Sequence, residues 1–207
     1  MRSIAKSIVI GVFYLLALPA GLLALVFHKV LGSSVAFEFF AQIFSLTPGI
    51  LGKYLRMCYY KQTLAESHLD TEYVFGCVIT KITSKIGHRV GIGMYTSVGQ
   101  VDIGDDTVIA NYVSILSGGR QHNFDDPEKP IFSFNEGFSE VSIGTNCFIG
   151  EKTTVMANIG DKCIVGAGSV VVKDIPEYSV AVGNPARVVK DRRANGAAKT
   201  ADARTGH

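Results

Sequence analysis

Aliphatic residues recur at a fixed spacing through much of the chain. Between Val141 and Lys173 they are separated by steps of six residues with a single step of four: Ile143, Ile149, Val155, Ile159, Val165 and Val171. The same spacing occurs upstream, with a single five-residue step: Ile86, Ile92, Val98, Ile103, Ile109 and Ile115. One face of a helix recurs every 3.6 residues and one face of a strand every two. A period of six therefore predicts a solenoid.

A glycine directly follows the aliphatic residue at many of these steps. A small residue precedes the aliphatic by two positions, as at Thr96, Thr107, Cys147, Thr153 and Cys163. If each unit is one short strand and a bend, three units close a triangular coil of about 18 residues. Such coils stack at roughly 4.8 Å, with the aliphatic and small residues inward and the glycine permitting the corner. The pattern thus predicts a mainly β chain, a parallel β-helix of about five triangular coils.

The N-terminal region has a different pattern. Residues 8–27 are uncharged, and a helix of twenty residues is about 30 Å long, enough to cross the hydrocarbon of a bilayer. A second apolar stretch, 35–51, is interrupted by Glu38 and Gln42. We therefore predict an N-terminal apolar helical hairpin. A secretory signal also begins with cations before an apolar run, but this run is long for a signal and no small-x-small cleavage site follows it.

The charges around the apolar stretches predict their orientation. Arg2 and Lys6 precede the first stretch, and Lys53, Arg56 and Lys61 follow the second. The positive-inside rule assigns both groups to the cytoplasmic side. We therefore expect an inner-membrane protein whose solenoid faces the cytoplasm. A re-entrant bend at Pro19 and Gly21 of the first run, an interfacial position for 35–51, and packing of both stretches on the solenoid or on each other remain open.

Composition divides the chain into three parts. The hydrophobic content of 47% and the mean hydropathy of +0.27 reflect a membrane-associated helical region, 1–63, ahead of the β-helix, 64–190. The polar residues 191–207 lack any period, and we expect a disordered tail. A net charge of +2 without a basic run interleaved with aromatics excludes a nucleic-acid partner. Four cysteines without a CxxC pair predict core thiols in a reducing compartment and no metal site.

The repeat is interrupted once by a long insertion, the loop 116–140. After Ile115 the next aliphatic in register is Ile143, so about 22 residues are inserted, and long loops in compact folds are usually functional. The loop contains His122, close to Asp125 and Asp126. A histidine can take a proton from an attacking hydroxyl near neutral pH. On spacing alone, an ordinary surface histidine is the simpler interpretation.

Three features together make the chain resemble the hexapeptide-repeat O-acetyltransferases. They are the repeat, the histidine-containing loop, and the ending IVGAGSVVVKDIPEYSVAVGNPARVVK at 164–190. The layout of the chain is similar to that of the bacterial enzymes that acetylate exopolysaccharides and O-antigens. The resemblance covers about residues 72–190. It implies a left-handed β-helix, a homotrimer with active sites in the clefts between subunits, and acetyl-CoA as co-substrate, with no bound cofactor.

The resemblance also implies which residues form the site. His122 matches the catalytic base, although Asn123 stands where many relatives have proline. The backbone of Ala167 and Val172 matches the groups that bind pantetheine. The cations that match the CoA phosphate positions are Lys173, Arg187 and Lys190.

Three further positions depart from the family pattern. Glu151 replaces a small residue that contacts the cofactor in relatives, and the segment 155–159 is two residues shorter than their turn. Gly93-Met94-Tyr95 stands where sugar-acetylating relatives often carry Asn-aromatic-Asn. The Gly93-Met94-Tyr95 sequence argues against a simple galactoside or maltose type of acceptor. Glu151 and the short segment 155–159 are expected to reshape the pantetheine channel.

We therefore expect an acetyl-CoA-dependent O-acetyltransferase that modifies a hydroxyl of a sugar or lipid-linked glycan in envelope polysaccharide biosynthesis. The alternative is a non-catalytic, membrane-anchored trimeric β-helix scaffold. A γ-class carbonic anhydrase shares the solenoid but needs three converging histidines, and only His88 and His122 lie within the repeat region.

Overall fold

Three α-helices precede a β-helix in the computed structural model, which describes residues 2–119, 128 and 139–194 of the 207-residue chain. The helices are α1 (Arg2–Leu31), α2 (Val35–Ser45) and α3 (Gly49–Thr63). The strands in this part of the chain are β1 (Glu72–Tyr73), β2 (Val78–Ile79), β3 (Lys85–Ile86), β4 (Gly91–Ile92), β5 (Ser97–Val98), β6 (Val101–Ile103), β7 (Val108–Ile109), β8 (Ser114–Ile115), β9 (Val141–Ile143), β10 (Phe148–Ile149), β11 (Thr154–Val155), β12 (Ile164–Val165), β13 (Val170–Val171), β14 (Ser179–Val182) and β15 (Arg187–Asp191).

The strands form three faces of a triangular coil. The seven-stranded face has the order β1-β4-β7-β10-β12-β14-β15, the five-stranded face β13-β11-β8-β5-β2, and the three-stranded face β3-β6-β9. All pairs are parallel except β14 with β15. Single bridges continue the three-stranded face from Ile143 to Ile159 and Ile175. Consecutive strands belong to different faces, so the chain winds around the core, and the five-stranded face marks five coils as predicted.

The core is the aliphatic stack that the period predicted. All twelve predicted aliphatic positions, from Ile86 to Val171, are at most 2% exposed. The stack begins one coil earlier, with the buried side chains of Tyr73 and Ile79. The sequence pattern missed this coil because an aromatic residue occupies one inward position and a seven-residue step separates Ile79 from Ile86.

Every irregular step lies at one corner, between the five-stranded and three-stranded faces, which we call the variable corner. Inward positions on its two sides are 79 and 86, 98 and 103, 155 and 159, and 171 and 175. The long insertion between 115 and 143 occurs at the same corner. The other two corners keep the six-residue step, so length variation is confined to one edge of the solenoid.

The glycines act by close approach rather than by an unusual backbone angle. A Cβ built on Gly150 would lie 2.4 Å from the Ala167 nitrogen, and one on Gly93 would lie 2.5 Å from the Ala110 carbonyl carbon. Positive φ angles at the corners belong mostly to other residues, such as Tyr95 (54°) and Lys152 (58°). The expectation that glycine permits the bend is therefore wrong for these pairs. Glycine is required because the next coil passes too close for a side chain.

Polar side chains stitch one coil to the next. Thr107 Oγ1 donates to the Gly144 carbonyl at 2.8 Å, and Thr153 Oγ1 donates to the Gly166 carbonyl at 3.2 Å. At the corners, Asp161 Oδ1 accepts from the Thr145 N–H at 2.7 Å. These small inward residues are buried as predicted, and their hydroxyls satisfy backbone groups that would otherwise be buried without a partner.

Helices α2 and α3 cover the open edge of the first coil, and we call them the helical cap. Arg56 Nε donates to the Tyr73 carbonyl at 2.9 Å, and the Ile79 N–H donates to the Tyr60 hydroxyl at 3.0 Å. The Gly76 N–H donates to the Ser45 carbonyl at 2.8 Å. Open strand edges favour aggregation, and the cap removes this edge by pairing its backbone groups.

Helix α1 forms an outer layer on the cap. The Phe13 and Tyr54 rings stack at 5.3 Å, and Gln62 Nε2 donates to the Tyr14 carbonyl at 2.9 Å. Helix α1 also contacts α2, to which it is joined by residues 32–34. The predicted apolar helical hairpin is thus confirmed as a pair of neighbouring helices. Helix α1 continues through Pro19, so the alternative of a re-entrant bend there is wrong.

The second apolar stretch is not one helix. Helix α2 ends at Ser45 and α3 begins at Gly49. An eleven-residue helix is about 17 Å long, which is shorter than the hydrocarbon core of a bilayer. Within the described chain, Lys6–Leu31 is the one segment long and apolar enough to cross a membrane by length and composition, with a mean hydropathy of 2.5.

Candidate functional site

The inserted loop leaves and rejoins the solenoid at a closed stem. The Ser139 N–H donates to the Ser117 carbonyl at 3.1 Å, and Val141 then returns to register against Val101. Gly118 has φ of 83°, and a Cβ there would meet the Ser139 hydroxyl at 1.8 Å. The stem therefore requires glycine at this position for both backbone angle and space. The loop is an excursion from the third coil at the variable corner.

The predicted base, His122, lies outside the described residues, as do Asp125 and Asp126. Glu128 is described, and it occupies an exposed turn position. The stem nevertheless fixes where the loop begins. In the sequence, His122 follows Gly118 by four residues.

A polar groove of about 210 Å³ lies beside the stem, on the outside of the five-stranded face. Its lining combines hydroxyl groups, a cation and backbone of three successive coils: Thr80, Lys81, Ser97, Gly99, Ile115, Leu116 and Ser117. Sequence reasoning missed this groove because its members come from separate repeats. Hydroxyl and ammonium groups of this kind can hold a hydroxylated or anionic molecule next to the loop.

The structure brings together two of the predicted CoA-binding cations. Lys173 and Arg187 line one groove of about 320 Å³ at the C-terminal end, with Asp174 and Ala186. Both side chains are exposed, and neither forms an ion pair with another described residue. Arg187 Nη1 donates to the Ala186 carbonyl at 3.0 Å. The groove thus presents two available positive charges.

The remaining predicted residues lie around this groove rather than in it. Ala167 and Val172 are exposed and flank β13, at the corners on either side of it. Their backbone N–H groups donate to no other backbone group within the described chain. Lys190 pairs with Val180 in β15, three residues and about 10 Å along the strand from Arg187. The two donors and the two cations therefore all lie on the last coils, but only the two cations share the groove.

The two departures near the C-terminal coils have different structural meanings. Glu151 is exposed at a corner, and its carbonyl accepts from the Gly168 N–H at 2.8 Å. The short step from Val155 to Ile159 is repeated one coil later, from Val171 to Ile175. It is therefore a regular tight form of the variable corner, and not a local defect of one coil.

The position that many sugar-acetylating relatives fill with Asn-aromatic-Asn forms an exposed aromatic corner. The rings of Tyr95 and Tyr112 stack at 5.5 Å with an interplanar angle of 14°. Phe75 contacts the other side of Tyr95 at 5.5 Å, edge to face. The Met94 N–H donates to Asn111 Oδ1 at 2.8 Å. An asparagine is thus present at this corner, but on the following coil.

The histidines among the described residues do not form a metal site. His88 Nδ1 lies 3.0 Å from Asp70 Oδ2, and its ring stacks on His68 at 3.5 Å. Within the described ranges, no three histidine, cysteine, aspartate or glutamate residues are placed to hold a metal ion. This part of the chain therefore offers no support for the carbonic anhydrase alternative.

Comparison with known proteins agrees with this architecture. A sequence profile described as "Hexapeptide repeat of succinyl-transferase" matches residues 140–173. A solved maltose O-acetyltransferase from Clostridium difficile 630 is 28% identical, with a TM-score of 0.55 over 74% of this chain and 82% of that one. A hexapeptide-repeat acetyltransferase from Vibrio cholerae is 17% identical and shares the fold, with a TM-score of 0.59 over 76% of this chain and 91% of that one.

Curated sequences match the same region. A Mycobacterium tuberculosis protein named a probable acetyltransferase is 39% identical over 95 residues, which is 45% of this chain and 31% of that protein. The chain spans 25% to 31% of the length of curated relatives such as this one. The hexapeptide period, the triangular coils and these likenesses show that the chain has the left-handed β-helix fold of the hexapeptide-repeat acetyltransferases and is similar to them in sequence.

Proposed function

We propose that this protein transfers an acetyl group from acetyl-CoA to a hydroxyl of a sugar or of a lipid-linked glycan. The observation that carries the proposal is the C-terminal groove, where Lys173 and Arg187 are both exposed and have no carboxylate partner among the described residues. The likeness to a maltose O-acetyltransferase over 82% of its chain supports the same chemistry. The hydroxylated groove beside the loop stem is the proposed acceptor region.

In the proposed mechanism, His122 in its neutral form takes the proton from the acceptor hydroxyl. The oxygen attacks the thioester carbonyl, a backbone N–H stabilises the tetrahedral oxyanion, and the C–S bond breaks. The imidazolium returns its proton to the leaving CoA thiolate. Direct transfer needs no covalent enzyme intermediate.

The C-terminal coils are proposed to bind the CoA portion. The N–H groups of Ala167 and Val172 would donate to pantetheine amides, and Lys173 and Arg187 would bind phosphate groups. Lys190 lies farther along β15 and would act only as a distant positive charge. This arrangement gives a role to the donors and cations that are exposed on the last coils.

We propose a homotrimer with sites in the clefts between subunits. The outward side of the seven-stranded face supports this assembly, because Val108 and Phe148 on adjacent strands are 47% and 44% exposed. The outward side of the three-stranded face instead carries Lys85, Asp102 and Ser142. Apolar outward residues favour burial between subunits, while the charged face favours solvent.

The proposed setting is envelope polysaccharide assembly at the cytoplasmic side of the inner membrane. Acetyl-CoA is a cytoplasmic metabolite, and the apolar N-terminal helices favour a substrate held at the bilayer. The aromatic corner of Tyr95 and Tyr112, in place of Asn-aromatic-Asn, supports an acceptor other than a simple galactoside.

Acetyl-CoA turnover by detergent-purified protein, read as free thiol with a panel of sugar and lipid-linked acceptors, tests the proposal. We expect His122→Ala to lower acceptor-dependent turnover by about 10²-fold or more while acetyl-CoA binding is retained. His88→Ala is the matched control, because that exposed histidine contacts Asp70 and follows β3 of the first coil, whereas the stem follows β8 of the third coil. Equal activity in the His122 variant would remove the base from the mechanism. Absence of acetyl-CoA binding by the wild type would favour the scaffold.

A further inference from the structure

The outer side of α1 is an apolar surface that no described residue covers. Ile8, Leu15 and Leu22 follow one another at seven-residue intervals and are 63%, 68% and 53% exposed. Phe39 of α2 and Ile50 of α3 are exposed as well, at 56% and 73%. No charged residue occurs between Lys6 and His28. A soluble protein rarely leaves an apolar surface of this extent open to water.

The opposite side of α1 is fixed to the cap. Ile10, Phe13, Ala17, Gly21 and Ala24 form this side, which faces α2 and α3. At about 100° per residue this stripe and the exposed row lie on opposite arcs of the helix. The contacts are specific as well as apolar, because Gln62 binds the Tyr14 carbonyl and the Cys58 thiol lies 3.8 Å from the Ile10 carbonyl.

These contacts are incompatible with a helix that crosses a bilayer. They involve residues 10–24, the middle of the apolar run, and their partner α3 is itself bound to the first coil through Arg56 and Tyr60. A bilayer around the run would have to enclose α3, which carries Lys53 and Lys61. Lysine at the bilayer centre is strongly unfavourable.

We propose that α1 lies in the plane of a membrane surface, with its outer row in the lipid and the cap towards the bilayer. Interfacial helices enter the lipid by about 5–10 Å and keep one side polar. In this protein the helical cap, and not water, covers the side of α1 that faces away from the lipid. Lys29, exposed at the C-terminal end of α1, lies on the same arc of the helix as the outer row, where it would contact anionic headgroups.

A fluid bilayer suits this surface better than a second copy of the chain. Two convex helix rows touch only along a line, so a second copy would leave most of each arc exposed. Lipid chains adapt to the full arc. The inference specifies the membrane part of the proposed function and does not depend on the acetyl-transfer part.

Depth measurement distinguishes a helix in the plane from a helix that spans. Single cysteines at Ile8, Leu15 and Leu22 would carry a fluorophore on the full chain, in vesicles containing lipids brominated at shallow or deep positions. The four native cysteines are buried. We expect similar, shallow depths at all three sites. A spanning helix would change depth by about 21 Å between Ile8 and Leu22, and that gradient would overturn the proposal.

Vesicle flotation tests the surface itself. Leu15→Gln with Leu22→Gln is expected to lower the vesicle-bound fraction at least tenfold, with the β-helix still folded by circular dichroism. The control, Val182→Gln with Val189→Gln, changes two exposed valines at the other end of the chain and is expected to bind like wild type. Unchanged binding by the leucine variant would overturn the proposal, as would an outer row protected in a lipid-free oligomer. Neither readout uses acetyl-CoA, so failure of the enzymatic proposal would be seen separately.

Discussion

In the helical cap, side chains bind the backbone of their neighbours, whereas in the coil stack, residues 72–182, the backbone of each coil binds the backbone of the next. Arg56 alone reaches four carbonyl groups, those of Phe44, Ser45, Thr47 and Tyr73. In the stack, strands of two to four residues are held by parallel ladders. The cap is therefore attached through large polar and aromatic side chains, whereas the close approach of successive coils requires glycine at their corners.

Truncating a side chain in the cap is expected to have the largest effect on stability. Arg56 is 2% exposed, and burial lowers its pKa, so its charge is held by carbonyl oxygens alone among the described residues. Arg56→Met should lower the free energy of unfolding by about 3–5 kcal/mol, because several buried carbonyls lose a charged donor. Denaturant unfolding followed by circular dichroism measures this loss.

The control for this prediction is Arg89→Ala, which removes an exposed arginine paired with Asp106 on the surface of the stack. Exposed ion pairs contribute little to stability, so this variant should unfold like wild type. If Arg56→Met and Arg89→Ala lowered the free energy of unfolding by the same amount, the cap would not depend on its side chains more than the stack does.

Adding one carbon to the stack is expected to have the next largest effect. Gly150→Ala places a Cβ 2.4 Å from the Ala167 nitrogen, and the backbone of the fifth coil must move. We expect a loss of about 2–3 kcal/mol in the free energy of unfolding. Gly91→Ala is the matched control, because a Cβ there meets nothing within 4 Å, and it should be neutral or slightly stabilising. Equal losses would show that chain flexibility, and not space, sets the requirement for glycine.

Alkaline pH should weaken the junction of the cap with the first coil. Burial raises the pKa of Cys77 to about 12 and that of Cys58 to about 11, from an ordinary value of 9.0. Burial also raises the pKa of Tyr60. Because the unfolded thiols ionise first, this contribution is complete below pH 9 and is lost as pH rises towards 12.

The expected loss from Cys77 alone is about 2 kcal/mol at pH 10.5 relative to pH 7.5. Urea unfolding at the two pH values measures it, and Cys77→Ala should show a smaller difference between them. The same pH dependence in wild type and variant would mean that this thiol is not the group that titrates.

The smallest expected effect concerns binding at the end of the stack. Lys173→Ala combined with Arg187→Ala should raise KM for acetyl-CoA about tenfold with little change in kcat, since phosphate binding is the same in the ground and transition states. Lys190→Ala should change KM by about twofold or less, because this side chain lies outside the groove. Steady-state kinetics with a fixed acceptor measures both. A larger effect of Lys190 would move the phosphate site along β15.

Prediction from sequence succeeded where the physical rule is local and repeated. The inward aliphatic residues can be identified from their spacing in the sequence. Twelve of them therefore define the register of the coils without knowledge of any contact. Tyr73 was missed because one aromatic residue does not reveal a period. The groove beside the loop stem was missed because its members, such as Thr80 and Ser117, are separated by two coils in sequence.

The cap shows a second limit of prediction from sequence. Composition identified apolar helices at the N-terminus but left several positions open for them. Arg56 was read as one of a group of cations that orients a membrane segment, yet it is buried and binds carbonyl groups of α2. Only the contacts of α3 with the first coil decide that assignment.

The sequence alone determined the solenoid, its approximate number of coils, the site of the long insertion and the residues that match the family at the C-terminal end. It could do so because a period of six constrains every repeat in the same way. The tertiary structure decided that α1 packs along the cap, that glycine is required for space, and that Lys173 and Arg187 share a groove while Lys190 does not. These are properties of surfaces that meet across distant parts of the chain, and no local pattern of residues encodes which surfaces will meet.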